Sequence, residues 1–237
     1  PSAPQVDDES SCYGSPNVTL TATGTNIKWY SGPGLTASEL ITTGNSYTPT
    51  FSSPGDSVYY VTQTGTNGCE SSASTAIYTI QPLPGKPVAA DTAICYGSPN
   101  PFLEAYPSNS NYDINWYNDT DSLLSTSTLY KPTDTTVGVH EYGVTQVDLN
   151  GCESAQEDVF FTINDLPAAP VVDDDTLEVC YGSNSKTFVA NGTNIKWYNT
   201  EPPASPIETG NVFTPSEVTT GTYTYYVTQS SGTTTCE

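Results

Sequence analysis

One pattern of residues occurs three times along this chain of 237 residues. Each copy contains Cys-Tyr-Gly-Ser, a Trp-Tyr pair, Val-Thr-Gln and Cys-Glu in that order, and the first motif begins at Cys12, Cys95 and Cys180. A period of about 84 residues is typical of an array of like modules. We therefore predict three domains, at residues 1–83, 84–166 and 167–237.

Within each copy, apolar residues alternate with polar ones. In the first copy Val18, Leu20 and Ala22 alternate with threonines, which is the period of a half-buried strand. No long window has helical periodicity. Several short strands around a central tryptophan are typical of an immunoglobulin-like sandwich. The sequence predicts an all-β fold of three tandem immunoglobulin-like β-sandwich domains.

A Pro-x-x-Pro segment marks the start of each copy, at Pro1–Pro4, Pro84–Pro87 and Pro167–Pro170. Proline fixes φ and lacks an amide donor, so strand pairing stops there and the linker is stiff. We expect the three domains to form an extended rod.

The chain has two cysteines in each copy, at Cys12, Cys69, Cys95, Cys152, Cys180 and Cys236. A metal centre is disfavoured because there is no Cys-x-x-Cys and the single histidine is His140. We predict one disulfide within each module, from its first strand to the start of its last, and an oxidising compartment. Closing such a loop contributes about 4 kcal/mol through chain entropy.

The charge balance is strongly acidic, with 26 acidic residues against five lysines and a net charge of −21. This charge repels nucleic acid and anionic lipid surfaces. No segment has the apolar length of a membrane span. We therefore predict no nucleic-acid partner and no membrane insertion in this segment.

The third copy is shorter than the other two. The first two continue beyond Cys-Glu with an alternating apolar strand, at residues 75–80 and 159–163, and the third stops at Glu237. We expect the corresponding strand to follow Glu237 in a longer natural chain. The alternative is a strand from a neighbouring chain, because an open sheet edge readily accepts one.

Acidic clusters near the module starts are weak candidates for Ca²⁺, which takes six to eight oxygen ligands. They comprise Asp7, Asp8, Asp173, Asp174 and Asp175. A solvated acidic face is the favoured interpretation, so no cofactor is expected. No catalytic motif appears in the sequence, and we predict that the chain is not an enzyme.

Two features of the sequence, asparagine sequons and tyrosines beside the tryptophans, bear on sugars. Sequons at Asn17, Asn118 and Asn191 are possible N-glycosylation sites in a host with that pathway. Tyrosines beside the tryptophans, Tyr30, Tyr117 and Tyr198, are expected on the opposite, exposed face, where they either stack on sugars or cover the sheet.

The Pro-x-x-Pro linker, Cys-Tyr-Gly-Ser, Ile-Lys-Trp-Tyr, Tyr-Tyr-Val-Thr-Gln and Asn-Gly-Cys-Glu together carry a family resemblance. The chain resembles the immunoglobulin-like repeats of very large Bacteroidetes cell-surface proteins, including SprB-like gliding adhesins and other substrates of type IX secretion. The second copy departs from the pattern at Asn115, where the others have lysine, and at Gly143, where they have tyrosine.

The resemblance implies an extracellular, cell-surface segment of an adhesin or filament involved in gliding motility. Its implied partners are neighbouring repeats, other copies in a surface fibre and surface polysaccharide. It also implies O-glycosylation at Ser57, Thr92, Ser122, Thr135 and Thr176. We predict a stiff, disulfide-stabilised structural and adhesive stalk. The alternative is an array of carbohydrate-binding modules attached to a secreted enzyme.

Overall fold

The computed structural model describes residues 1–183, 186–202, 205–217, 219–232, 234 and 236–237. Extended strands supply the regular structure of these residues, and the described part of the chain contains no helix that could span a lipid bilayer. The prediction of an all-β fold built from sandwiched sheets is confirmed.

The first repeat contains two sheets. Its strands are Gln5–Val6 (β1), Glu9–Cys12 (β2), Leu20–Thr23 (β3), Ile27–Tyr30 (β4), Leu40–Thr43 (β5), Ser46–Tyr47 (β6), Gly55–Gln63 (β7) and Ser74–Gln81 (β8). One sheet has the order β1-β3-β6 and the other β2-β8-β7-β4-β5. The first strand of the larger sheet, β2, runs parallel to the last, β8, and the β4–β7 and β7–β8 ladders are antiparallel.

The core of this repeat lies between the two sheets and follows the alternation in the sequence. Leu20 and Ala22 are buried from β3, and the Trp29 side chain of β4 is fully buried among residues of β7 and β8. The indole Nε1 donates a 2.8 Å hydrogen bond to the Gly44 carbonyl, which satisfies its one polar group in the core.

The second repeat has the same two-sheet plan. Its strands are Val88–Ala89 (β9), Thr92–Cys95 (β10), Leu103–Tyr106 (β11), Asp113–Asn118 (β12), Leu123–Ser125 (β13), Leu129–Tyr130 (β14), Gly138–Val147 (β15) and Glu157–Asn164 (β16). The sheets have the orders β14-β11-β9 and β10-β16-β15-β12-β13. The parallel pair recurs as β10 and β16, and Trp116 is fully buried like Trp29.

The third repeat has smaller sheets. Its strands are Val171–Val172 (β17), Phe188–Asn191 (β18), Lys196–Tyr198 (β19), Glu208–Thr209 (β20), Val212–Phe213 (β21) and Tyr226–Thr228 (β22). The sheets have the orders β17-β18-β21 and β20-β19-β22. Residues 174–183, all of them described, form no strand. This segment corresponds to β2 and β10, whose parallel partners β8 and β16 have no counterpart among the described residues of the third repeat.

The residues group into two compact units. One contains Pro1–Ala89, Glu104–Leu129 and Gly143–Asp158, and the other contains Ala90–Leu103, Tyr130–Tyr142 and Val159–Glu237. Each unit combines one outer repeat with part of the middle repeat. The domain boundaries at 1–83, 84–166 and 167–237 follow the sequence period and stay a prediction.

Candidate functional site: the cysteines at the repeat ends

Each repeat has two ends, which β7 and its counterparts β15 and β22 define. We call the end at which this strand finishes the proximal end, and the opposite end, at which β8 and β16 finish, the distal end. Cys12 closes β2 and lies opposite Gln81, the last residue of β8, so it is distal. Cys69 lies in the turn between β7 and β8, so it is proximal.

The two cysteines of one repeat are therefore separated by the length of a strand. The eight residues of β8 extend over about 23 Å at roughly 3.3 Å per residue. A disulfide holds its two Cα atoms within about 7 Å. The predicted bridge between Cys12 and Cys69 is wrong for this reason. The corresponding bridges, Cys95 with Cys152 and Cys180 with Cys236, are wrong as well.

The bridges that do form connect consecutive repeats. Cys12 is bonded to Cys152 with a Cα–Cα distance of 5.4 Å, and Cys95 to Cys236 with 5.5 Å. Each joins the distal cysteine of one repeat to the proximal cysteine of the next, over 140 and 141 residues of sequence. Each bridge also lies within a single compact unit.

Two cysteines carry no bridge. Cys69, proximal in the first repeat, and Cys180, the first cysteine of the third, are free and exposed. By contrast, Cys152 and Cys236 are 0% and 1% exposed. Cys69 occupies the same place in its repeat as these two buried cysteines, so the difference in burial follows from the bonded neighbour.

The glutamate after each proximal cysteine holds the cysteine turn against the sheet. Glu70 accepts hydrogen bonds from Lys28 Nζ at 2.8 Å, Tyr30 OH at 2.7 Å and Thr62 Oγ1 at 2.5 Å. These donors, Lys28 first, lower the pKa of Glu70 to about 2. The contacts connect the turn to both β4 and β7, which fixes the position of Cys69.

The same arrangement recurs in the second repeat without the lysine. Glu153 accepts hydrogen bonds from Thr145 Oγ1 at 2.5 Å, Tyr117 OH at 2.6 Å and Asn115 Nδ2 at 3.4 Å. Burial raises the pKa of Glu153, but these hydrogen bonds outweigh it, so the pKa lies below its ordinary value. The turn of the second repeat is therefore anchored without a lysine.

In the third repeat, Glu237 accepts hydrogen bonds from Lys196, Tyr198 and Thr228 in the same way. The predicted exposure of the three tyrosines is wrong, because Tyr30 and Tyr198 are only 3% exposed and Tyr117 is half-buried. The cysteine turn covers the sheet face on which they lie. Their hydroxyl groups bind a glutamate of the same repeat, so these rings offer no open sugar-stacking platform.

The glutamine of each Val-Thr-Gln fastens the incoming linker, a role that the sequence analysis missed. The side-chain amides of Gln63, Gln146 and Gln229 donate to the carbonyls of Ser2, Gly85 and Ala168 at 2.8, 2.5 and 2.6 Å. Each Oε1 also accepts a backbone N–H from the loop that precedes β4 or its counterpart, at 2.8–3.0 Å. In the sequence, the only indication of this role is that the glutamine recurs in every copy.

One acidic residue at the start of each repeat has a structural partner. Asp8 Oδ1 accepts the Ile77 amide at 2.7 Å, and Asp91 Oδ1 accepts the Phe160 amide at 2.9 Å. In the third repeat, Asp173 accepts a hydrogen bond from Asn191. Across the described ranges, no three acidic, histidine or cysteine side chains converge as a metal site requires. The favoured interpretation, a solvated acidic face without a cofactor, stays a prediction, as does its alternative of calcium binding by Asp7, Asp8, Asp173, Asp174 and Asp175.

The candidate glycosylation sites differ in accessibility. Ser122, Thr135 and Thr176 are exposed, whereas Ser57 and Thr92 are half-buried within β7 and β10. No observation tests modification at these five residues, or at Asn118 and Asn191.

Asn17 has a structural role that competes with glycosylation. Its Nδ2 donates to the Pro49 and Phe51 carbonyls at 2.7 and 2.8 Å. Asn100 makes the equivalent pair of hydrogen bonds in the second repeat, where a following proline excludes a sequon. A glycan on the Asn17 amide would remove at least one of these donors.

His140 lies on β15, away from the cysteine turns. Its Nε2 is 2.9 Å from the Thr136 carbonyl oxygen, and its Nδ1 is 3.2 Å from an Asp134 carboxylate oxygen. Both contacts are to the preceding turn of the same repeat. The prediction that the chain is not an enzyme stays a prediction.

The solved structures similar to this chain match it at low sequence identity. Fibronectin(III)-like modules of Clostridium thermocellum CbhA match at 16% identity and a TM-score of 0.39, over 68% of this chain and 91% of theirs. The EC1-3 segment of Drosophila N-cadherin matches at 14% identity and 0.28, over 67% and 65%. Domains FN1-FN3 of chicken CNTN1 match at 10% identity and 0.27, over 94% and 88%. Among curated proteins, no sequence matches.

The chain also matches one protein family in sequence. The family described as "Ig-like domain CHU_C associated" matches residues 1–82 and 167–237, which together are more than half of the chain. These two ranges coincide with the first and third copies of the sequence pattern, and each contains its own buried tryptophan in a β-sandwich. The chain belongs to this family of immunoglobulin-like domains.

Proposed function

We propose that this chain is a stalk segment of a long bacterial cell-surface protein, in which disulfides clamp each repeat to the next. The observation that supports the proposal is the pairing of Cys12 with Cys152 and of Cys95 with Cys236. Stable disulfides are typical of extracellular proteins. A surface adhesin or gliding filament of the kind that the sequence resembles needs such a stalk to present its tip.

The disulfides restrict bending at the junctions between repeats. Residues 82–87 connect the first two repeats through the backbone, and the bridge from Cys12 to Cys152 adds a second covalent connection. Gln146 adds a hydrogen bond to the linker carbonyl of Gly85. Two covalent connections at one junction restrict hinge bending far more than a single stiff linker does. The stalk therefore derives its stiffness from the junctions as well as from proline.

The acidic surface supports the same function. With a net charge of −21, neighbouring stalks repel one another, and repulsion between like-charged repeats opposes folding back. Tyrosines that would suit a sugar site are instead used to anchor the cysteine turns. These features favour a spacer over a carbohydrate-binding array.

The test compares the oxidised chain with the double variant Cys12→Ser/Cys95→Ser. A stalk is expected to show no specific binding on a glycan array. By small-angle X-ray scattering, it should show one narrow distribution of distances that broadens in the variant. Specific binding to one class of polysaccharide, retained in the variant, would refute the stalk and favour the carbohydrate-binding alternative. An unchanged scattering profile would contradict the clamping role of the bridges.

A further inference from the structure

We infer that Cys69 and Cys180 are the two open halves of the same inter-repeat bridge. The partner of each is a further immunoglobulin-like repeat of this kind, joined head to tail. The distal cysteine of a preceding repeat would bond to Cys69, and the proximal cysteine of a following repeat would bond to Cys180. The inference rests on the proposed stalk function and extends it by naming the partner and the bond.

Cys69 is held in the same way as the cysteines that do form bridges. Like Cys152 and Cys236, it precedes a glutamate that a tyrosine hydroxyl and a threonine hydroxyl bind. Its turn also pairs Thr64 with Glu70 as the second repeat pairs Val147 with Glu153. The thiol of Cys69 is thus presented at the position from which a bridge extends in the next two repeats.

The incoming chain at the first repeat gives an independent indication of where a preceding repeat would lie. Gln63 holds the Ser2 carbonyl at 2.8 Å, as Gln146 holds the carbonyl of Gly85 within the first linker. Residues 1–4 therefore follow the course of the linkers that join the bonded repeats. A repeat placed before Pro1 would therefore lie at the proximal end of the first repeat, where Cys69 is exposed.

The turn that follows Cys180 is the same as the turn that follows the distal cysteines of the first two repeats. Each of the three is followed by a turn in which the serine amide three residues on donates to the cysteine carbonyl at 3.0 Å. The glycine within this turn has φ between +79° and +83° in all three copies, a conformation that favours glycine. The local geometry after Cys180 is thus that of a bridging cysteine, and its sulfur is exposed and free.

The chemistry requires an oxidant, and oxidised glutathione serves in the test. The thiolate of one cysteine attacks the glutathione disulfide, which forms a mixed disulfide and releases one glutathione thiolate. The thiolate of the second cysteine then attacks the protein sulfur of the mixed disulfide and releases the second glutathione. Two thiols are oxidised to one disulfide, and one oxidised glutathione is reduced to two thiols.

Two extended chains test the inference with repeats taken from the protein itself. In the first, a copy of residues 1–83 precedes Pro1 of the full chain, which places the added Cys12 the same 140 residues before Cys69 as separate the bonded Cys12 and Cys152. In the second, a copy of residues 154–237 follows Glu237. This continues the pattern and places the added Cys236 about as far from Cys180 as in the bonded pair of 141 residues.

Both proteins are folded in a glutathione redox buffer, and their disulfides are mapped by peptide mass spectrometry after alkylation of free thiols. We expect the added Cys12 to bond to Cys69, the added Cys236 to bond to Cys180, and the two original bridges to persist. The matched controls carry serine at the added Cys12 or the added Cys236 and should leave Cys69 or Cys180 fully alkylated. Full alkylation of Cys69 and Cys180 in the extended chains, or pairing of added cysteines within their own repeat, would overturn the inference.

The outcome is separable from that of the proposed function. Formation of the new bridges together with specific glycan binding would refute the stalk and leave the bonding pattern intact. Narrow scattering and no glycan binding, with Cys69 and Cys180 unbonded in the extended chains, would refute the inference alone.

Discussion

The interlocked bridges set how far the chain can be stretched. A pulling force applied to the two termini passes from one bridge to the other along three backbone segments, residues 12–95, 95–152 and 152–236. The shortest segment, between Cys95 and Cys152, becomes taut first and limits the extension. The limiting route crosses from Cys12 to Cys152, follows the backbone back to Cys95 and crosses to Cys236. With the terminal residues it contains about 70 residues, or ~240 Å when fully extended at about 3.4 Å per residue.

Reduction of both bridges releases all 237 residues, which extend to about 800 Å. Three bridges within the repeats, the arrangement that the spacing of the cysteines suggested, would also leave about 70 residues, or ~240 Å, under load. The double variant Cys69→Ser/Cys180→Ser separates the two topologies, because it keeps both observed bridges. With bridges within the repeats, the variant would keep only the one from Cys95 to Cys152 and would extend over about 180 residues, or ~610 Å.

The assay is single-molecule pulling between enzymatically attached end handles, before and after reduction. We expect a final length of about 240 Å for the oxidised chain and about 800 Å after reduction. The double variant Cys69→Ser/Cys180→Ser should behave like the parent in both states. A length of about 610 Å for the oxidised double variant, or an oxidised length that does not change on reduction, would refute the reasoning.

Three further predictions concern stability and are measured by chemical denaturation of the oxidised chain. Cys152→Ser should lower the free energy of unfolding by up to about 5 kcal/mol, which is the loop-closure entropy of a bridge across 140 residues. Cys69→Ser should change the free energy of unfolding by less than about 0.5 kcal/mol. Equal losses in the two variants would support bridges within the repeats. Glu70→Gln should cost about 1 kcal/mol at pH 7, because the side chain is one-third exposed and solvent screens its ion pair. The folded pKa of about 2 lies below the unfolded value of about 4.3, so this loss should be complete above pH 4.3 and disappear as the pH falls towards 2; a loss that is constant with pH would contradict the assignment. Gln146→Ala should lower the free energy of unfolding by about 2 kcal/mol, because loss of the fully buried amide leaves the Gly85 carbonyl and the Ser108 amide unpaired. Amide hydrogen exchange in the first linker should also accelerate. Unchanged exchange there would show that other contacts hold the linker.

The fold was predictable because its signals are local. Alternation at Leu20 and Ala22 and one tryptophan in each copy determine which faces are buried, and the structure buries those side chains. The tyrosine beside each tryptophan was correctly placed on the opposite sheet face by the same alternation. What alternation could not reveal is that a turn from the same repeat covers that face and buries Tyr30.

The disulfide pairing was not predictable from the count and spacing of the cysteines. Two cysteines 56 or 57 residues apart in each copy suggest a local bridge. The spacing carries no information about which end of a sheet each cysteine occupies. The deciding fact is that β2 and β8 are parallel. Cys12 ends β2 and Cys69 precedes β8, so the parallel pairing separates the two cysteines by the full strand length.

The overlap of the two bridges has a consequence for survival under proteolysis. Every peptide bond between Cys12 and Cys236 is spanned by at least one of the bridges, and those between Cys95 and Cys152 are spanned by both. A protease that cuts once anywhere in this interval, including the exposed linkers, leaves the two fragments joined in a single molecule. A surface stalk built in this way tolerates an isolated nick without shedding the domains beyond it.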